Sequence, residues 1–309
     1  MKPGLYQIAA EEYHADPCPE PSLSSSLAKL MLGQSPLHAW TASPRLNPAW
    51  EPKESRVFNI GRAAHRAVLG AGGDYVAYPD DVLASNGAAS TKAAKEWAED
   101  QKSRGLTVLR SDELEQVESM AARARLRLAQ MGISFAPARS EMVAIAQIDG
   151  VWCRAMIDNA PADPRAPLYD FKTCEDASPD AVIRSITSYG YDVQAAHYLD
   201  VWRAATGEKR KFRFVFQEKS APHELSVVEL HDDPDSESDW MLDARSKAAE
   251  ARRMWAHCLK SGEWPGYPPM VGIVGAPSYY RAKWAERSVG ATAPSPETIA
   301  AATAWQSPE

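Results

Sequence analysis

SEMVAIAQIDGVWCRAMIDNAPADPRAPLYDFKT, residues 140–173, holds three short apolar runs. Residues 140–148 and 151–158 read as strands, and Asp149-Gly150 between them is the dipeptide that closes a two-residue hairpin. LYDFKT, 168–173, follows a proline-marked loop and reads as a third strand. On it Asp170 and Lys172 are two apart and point to one face. Tyr169 and Phe171 point to the other, where a core wants them. Upstream, helices are expected at 24–32, with Ser24 or Ser25 as cap, and at 57–69, 90–103 and 111–130. The last gathers Leu114, Val117, Met120 and Ala121 on one side. Downstream come helices at 178–188 and 191–205, the second ended by Gly207. A period-2 strand at 211–219 pairs with another at 223–230, and a charged helix covers 237–261. Helices, three strands, helices and more strands predict an α/β (α+β) fold, a central mixed sheet flanked by helices.

The composition narrows the function. The chain has 309 residues, 45% hydrophobic and 24% charged, which excludes a disordered or fibrous protein. Its 34 Lys and Arg against 41 Asp and Glu give a net charge of −7. A globally basic nucleic-acid binder is excluded, but a local basic groove is not. Candidates for one are Lys209, Arg210, Lys211 and Arg213, then Arg245, Lys247, Arg252 and Arg253. No run approaches the ~18 apolar residues of a membrane span. The start, MKPGLYQIAAEEYHADP, lacks the pattern of a secretory signal, so a cytoplasmic location is expected. Cys18, Cys153, Cys174 and Cys258 are scattered without a C-x-x-C pair and read as reduced thiols. Three parts are expected: an N-terminal segment, 1–56, packed on the core; the main domain, 57–284; and a weakly structured tail, 285–309, rich in Ala, Pro, Ser and Thr.

Asp158 closes the second strand of the hairpin, 12 residues before Asp170. Strand–loop–strand geometry can bring the two carboxylates together, and converging carboxylates repel unless a cation lies between them. A hard divalent ion with oxygen ligands is the natural filler, and Mg²⁺ is the common choice at phosphate sites. Taken alone, Asp170 and Lys172 are equally an ordinary surface ion pair.

Their company favours chemistry. Asp158 followed by Asp170-Phe171-Lys172 resembles the PD-(D/E)XK nuclease motif, with Ile157 in place of the proline, which is not a ligand. GRAAH, 61–65, resembles the helical His motif of the RecB-like branch. YDVQAAHY, 191–198, resembles its Q-x-x-x-Y motif, with Gln194, Tyr198 and Tyr191 on one helix stripe. The segments 4–14, 24–40, 188–200, 216–224 and 264–267 are similar to the exonuclease VIII (RecE) nuclease domain, so the resemblance spans most of the chain.

This resemblance implies a restriction-endonuclease-like core and a Mg²⁺-dependent exodeoxyribonuclease, with Mn²⁺ as a substitute. It would degrade double-stranded DNA ends 5′→3′ and leave a 3′ strand for a RecT-like single-strand annealing partner. It also implies a homo-oligomeric ring, a tetramer or trimer, that concentrates positive charge in a channel. Asp158 and Asp170 would hold the metal with the Phe171 carbonyl, and His65 and Glu141 would be further ligands. Lys172 would orient the water or stabilise the transition state, and Gln194 would bond a phosphate or the Asp-x-Lys strand. Tyr191 and Tyr198 stand either as DNA contacts or as core aromatics. Ser24, Ser26 and Arg62 are candidates for a 5′-phosphate, with the serines equally explained as helix caps. Competing readings are an endonuclease or helicase-associated module of the same superfamily, and a non-catalytic DNA-end-binding scaffold. A zinc hydrolase lacks an H-E-x-x-H or a close His pair.

Overall fold

The computed structural model describes residues 1–51, 57–233, 235–236 and 239–290. In chain order the elements are β1 Gly4–Tyr6, α1 Ala10–His14, α2 Ser25–Gly33, α3 Pro36–Ala42, α4 Val57–Leu69, β2 Tyr75–Ala77, α5 Lys92–Ser103, β3 Thr107–Leu109 and α6 Ser111–Gln130. Then follow β4 Ser140–Ile148, β5 Val151–Asn159, β6 Leu168–Cys174, α7 Pro179–Tyr189, α8 Tyr191–Thr206, β7 Phe212–Glu218, β8 Leu225–Glu229, α9 Trp240–Ser261 and α10 Ser278–Gly290.

Asp149-Gly150 turns β4 back on β5, and both residues take the positive φ that such a turn needs. β6 joins β5 antiparallel, and β7 joins β6 in parallel after the α7–α8 crossover. β8 returns antiparallel to β7. The sheet has six strands in the order β1-β4-β5-β6-β7-β8 and is mixed, as the pattern predicts. Its first strand was not legible in the sequence: Gly4–Tyr6 pairs with β4 through Gly4↔Ile145 and Tyr6↔Val143. Leu23 laces the N-terminal segment to β5, donating to the Trp152 carbonyl at 2.8 Å and accepting from the Arg154 N–H at 3.0 Å. A separate parallel pair, β2 with β3, also went unread because each strand is only three residues long.

Strand alternation sorts side chains between two layers. Leu168, Phe212, Phe214 and Phe216 face α8 and α9, among Val193, Trp202 and Trp255. Tyr169, Phe171 and Val215 face the other way, onto Ala64 and Val68 of α4 and Met120, Ala124 and Leu128 of α6. Each large aromatic side chain removed from water contributes roughly 1.5–3 kcal/mol, so the ring cluster Phe212, Phe214, Phe216, Tyr191 and Tyr198 is a main anchor of α8 on the sheet.

The chain divides by contacts into Met1–Tyr267 and Pro268–Glu309. The N-terminal segment therefore lies in the same unit as the sheet. In the second unit, 268–277 have no regular structure and α10 follows, an element not expected from sequence. Of the expected tail, 285–290 finish α10, and 291–309 lie outside the described residues. No helix among the described residues is long and apolar enough to cross a membrane.

Candidate active site

The site begins at an irregularity in the sheet. β4 and β5 pair at Ser140↔Asn159 and Met142↔Ile157, but Glu141 between them is unpaired and sits at φ 51°. The hairpin register places Glu141 opposite Asp158, and the positive φ is a local distortion at that pair. β5 and β6 then pair at Asn159↔Tyr169 alone. Beyond it the ladder opens, and the Phe171 N–H donates to Asp158 Oδ2 at 2.6 Å instead of to a strand carbonyl. Glu141, Asp158 and Asp170 thus form a row across three adjacent strands.

α4 supplies the histidine. Gly61 is where this helix touches β6, since a Cβ there would lie 3.3 Å from Thr173 Oγ1. One turn later, on the same helix face, His65 Nε2 lies 2.9 Å from Asp158 Oδ2 and Nδ1 lies 3.7 Å from Glu141 Oε1. Gly72, at φ +102°, makes room for Glu141: a Cβ would come within 2.6 Å of Oε1. α8 approaches from the other layer. Gly190, in the left-handed region at φ 62°, ends α7 and lets α8 start at once in a new direction. Gln194 then donates from Nε2 to Asp170 Oδ1 at 2.6 Å. Lys172 Nζ stands 2.5 Å from Asp170 Oδ2 and 5.1 Å from the centre of the Tyr191 ring.

Electrostatics separate the two aspartates. Burial pushes both carboxyls up. At Asp158 that push is overcome by His65, Lys172 and the Phe171 N–H, and its pKa is lowered. At Asp170 burial wins over Lys172, with Asp158 adding repulsion, and the pKa rises to about 6. Burial likewise raises the Glu141 pKa. For His65 and Lys172 burial disfavours the charged form, but Asp158 and Asp170 respectively outweigh it and both pKa values are raised. The result is a dense alternation of acids and cations at the mouth of the split between β5 and β6.

Among the described residues, no three His, Cys, Asp or Glu side chains stand as a preformed metal cage. Each aspartate instead holds its own cation, and placing both on one ion requires those pairs to open. The donor set suits a hard divalent ion: carboxylates, an imidazole and a main-chain carbonyl. Asp170 fits it best, because its buried Oδ2 accepts no well-formed hydrogen bond despite the nearby ammonium and so lacks full neutralisation.

The other expected residues are placed as follows. Tyr191 is half-buried, its ring against Phe214 and Phe216 and beside Lys172. Tyr198 is a core side chain against Phe212, and burial raises its pKa well above the ordinary phenol value. Ser24 caps α2, accepting from the Leu27 N–H at 3.4 Å, so its hydroxyl is committed. Ser26 is exposed and lines a groove beside the site. Arg62 is exposed on α4, in the opposite layer. No hydrogen bond or ion pair links Ser24, Ser26 and Arg62 among the described residues, and Arg62 does not line the groove that holds Ser26.

Most of the expected basic groove is neutralised internally. Arg210 pairs with Glu208, Lys211 and Arg213 with Glu229, Arg245 with Asp232, Lys247 with Asp192, Arg252 with Asp200 and Arg253 with Glu250. Sequence reasoning missed Lys29, whose ammonium lies 5.2 Å from the Tyr191 ring centre on the side of the groove. Its signal was present: a cation in a short helix whose neighbours Leu27, Ala28 and Met31 are core.

A family model described as a PDDEXK-like domain of unknown function (DUF3799) matches residues 24–272. A crystal structure of a candidate exonuclease from Eubacterium rectale superposes with a TM-score of 0.56. It is 15% identical, and the match covers 88% of this chain and 96% of that one. No curated protein matches the sequence.

Proposed function

The chain belongs to the PDDEXK-like domain family (DUF3799), and from that premise we propose that it is a Mg²⁺-dependent exodeoxyribonuclease acting on the ends of linear double-stranded DNA. The observation that carries the proposal is the row Glu141, Asp158 and Asp170 on neighbouring strands, with Lys172 Nζ 2.5 Å from Asp170. A fold has no need for three buried or half-buried acids in one row unless something cationic is to be held there. The name of the Eubacterium rectale relative agrees with the reading.

Asp158 and Asp170 would hold the ion, with the Phe171 carbonyl, His65 and Glu141 as further donors. When bound, such an ion lowers the pKa of water and offsets charge on a phosphate. The chain's own groups do the rest. Gln194 fixes the Asp170 carboxylate by donating to Oδ1, leaving Oδ2 for the reacting side. Lys172 is a preorganised cation beside it, placed to stabilise negative charge developing on a phosphate oxygen. His65 holds Asp158 in orientation from the other layer. Digestion 5′→3′, a 3′ single strand passed to an annealing protein of the RecT kind, and a ring of three or four copies belong to the same proposal. They rest on the sequence resemblance, as does a location in the cytoplasm.

The test is digestion of linear duplex labelled separately at each 5′ and 3′ end, with a closed circle as control. The proposal expects loss of the 5′ label first, intact circles, and no turnover in a chelator or in Ca²⁺. Cleaved circles would assign an endonuclease instead. Undiminished activity in the chelator would refute the metal reading.

A further inference from the structure

Beside the site, between α2, the α7–α8 junction and the start of α9, lies an open groove of about 780 Å³. Its wall includes Ser26, Lys29, Tyr189, Asp192, Trp240 and Lys247. Such a volume suits a whole ligand fragment, far more than one phosphate group. The cations in it differ. Lys247 is already paired with Asp192 at 2.7 Å. Lys29 pairs with no carboxylate among the described residues. Of its two acidic neighbours, Asp192 is paired with Lys247, and Asp170 lies against Lys172 and Gln194 rather than Lys29.

The sequence builds Lys29 into this position. Gly190 packs against its stem: a Cβ at 190 would lie 3.1 Å from Lys29 Cδ and 3.3 Å from Cγ. Two ammoniums then lie over the Tyr191 ring, Lys29 Nζ at 5.2 Å and Lys172 Nζ at 5.1 Å from its centre. Two cations on one ring repel each other, and burial with Lys172 nearby pulls the Lys29 pKa down to about 8 although Asp170 and Asp192 oppose that shift. An anion arriving in the groove relieves that repulsion. Tyr189, exposed and tilted against Tyr191 with ring centres 5.6 Å apart, offers a face for a base.

We infer that Lys29 is a substrate-positioning residue that holds an internal phosphodiester of the strand being cut, in the groove beside Lys172. This rests on the nuclease reading and adds to it the path of the strand: along the α2–α8 groove, with a phosphate at Lys29 next to the one at Lys172. The spacing of the two ammoniums around one ring sets the offset between the two phosphates. The exposed Ser26 hydroxyl, one turn earlier on α2, is a neutral donor to the same phosphate.

Duplex binding is measured in Ca²⁺, without turnover, as a function of salt, for the wild type, Lys29→Met, Lys29→Arg and the exposed control Lys95→Gln. Methionine keeps the apolar stem against Gly190 and removes only the charge. One lost phosphate contact lowers the slope of log affinity against log salt by about 0.7–0.9. Lys29→Met is expected to show that fall, and KM in Mg²⁺ is expected to rise several-fold more than kcat falls. Lys29→Arg is expected to restore most of both, and Lys95→Gln to match the wild type. The effect should be equal on 5′-hydroxyl and 5′-phosphate duplexes. An effect confined to 5′-phosphate would put Lys29 at the strand end and overturn the assignment. A changed melting temperature with an unchanged slope would make Lys29 merely structural. If Lys29→Met does not fold, amine acylation of the wild type decides: duplex should protect Lys29, and equal labelling overturns the inference. Failure of the wild type to bind DNA would sink the nuclease reading along with this one. Binding with an unchanged slope in Lys29→Met would sink this one alone.

Discussion

The same sheet carries two buried acid–base pairs, and they are built in opposite ways. Asp16 and Arg154 are sealed, their side chains 0% and 4% exposed. Asp16 is saturated: it accepts from the Ser22 N–H at 2.8 Å, the Ser22 hydroxyl at 2.7 Å and the Cys18 N–H at 3.3 Å, besides Arg154 at 3.1 Å. Arg154 also donates to the Ser22 carbonyl at 2.8 Å. Asp170 and Lys172 are 2% and 22% exposed, so one end is open. A second acid, Asp158, lies close enough to raise the Asp170 pKa, and Asp170 Oδ2 lacks a well-formed hydrogen bond. A pair whose carboxylate is saturated ties the N-terminal segment to β5, although Arg154 Nε itself has no partner. The undersatisfied carboxylate is the one that the proposed cation would use.

The comparison breaks most sharply under charge removal. Asp170→Asn is expected to lower turnover of linear duplex by about a thousandfold or more, the scale of losing a key electrostatic contact in a transition state. Its stability should change little, because the carboxylate it removes is already disfavoured by burial. Asp16→Asn should do the reverse. It strands Arg154 in the interior and costs about 3–5 kcal/mol in urea unfolding, while the fraction still folded keeps its specific activity. Equal stability losses in the two variants would erase the distinction.

A pH experiment sharpens the sealed side. His197 Nε2 lies 3.1 Å from the Arg154 carbonyl, and burial lowers its pKa to about 4. The unfolded chain, at the ordinary value of about 6.5, takes up a proton that the folded protein refuses. Stability is therefore full above pH ~6.5 and falls as pH drops toward 4, by about 3 kcal/mol from this group. Urea midpoints measured from pH 7 to pH 4.5 should show that fall, with a smaller one in His197→Gln.

The smallest expected effect tests the support of the open side. Gly72→Ala puts a Cβ against Glu141 Oε1 and a side chain at φ +102°. It should cost about 1–2 kcal/mol and lower turnover less than Asp170→Asn does. A variant as stable and active as the wild type would mean that Glu141 is not held where the site needs it.

Much of this was legible in the chain. Period-2 alternation in LYDFKT put Asp170 and Lys172 on one face and Tyr169 and Phe171 in the core, as found. Asp149-Gly150 fixed the hairpin, and with it the register that sets Glu141 opposite Asp158. What was not legible depends on distance rather than on pattern. β1 is a three-residue strand recruited by β4, and no local signal marks it. The basic clusters looked like a groove, but their partners Glu229, Asp232 and Asp200 lie elsewhere in the sequence. Lys29 reads as an ordinary helix lysine until Gly190 and Tyr191, some 160 residues later, close around it.

The central claim is that Asp158 and Asp170 share one divalent ion. Calorimetric titration of Mn²⁺ into the wild type, Asp158→Asn, Asp170→Asn and the double variant tests it most directly. Saturable binding is expected for the wild type, with at least tenfold weaker binding in each single variant and none in the double. Wild-type affinity retained in the double variant would contradict it.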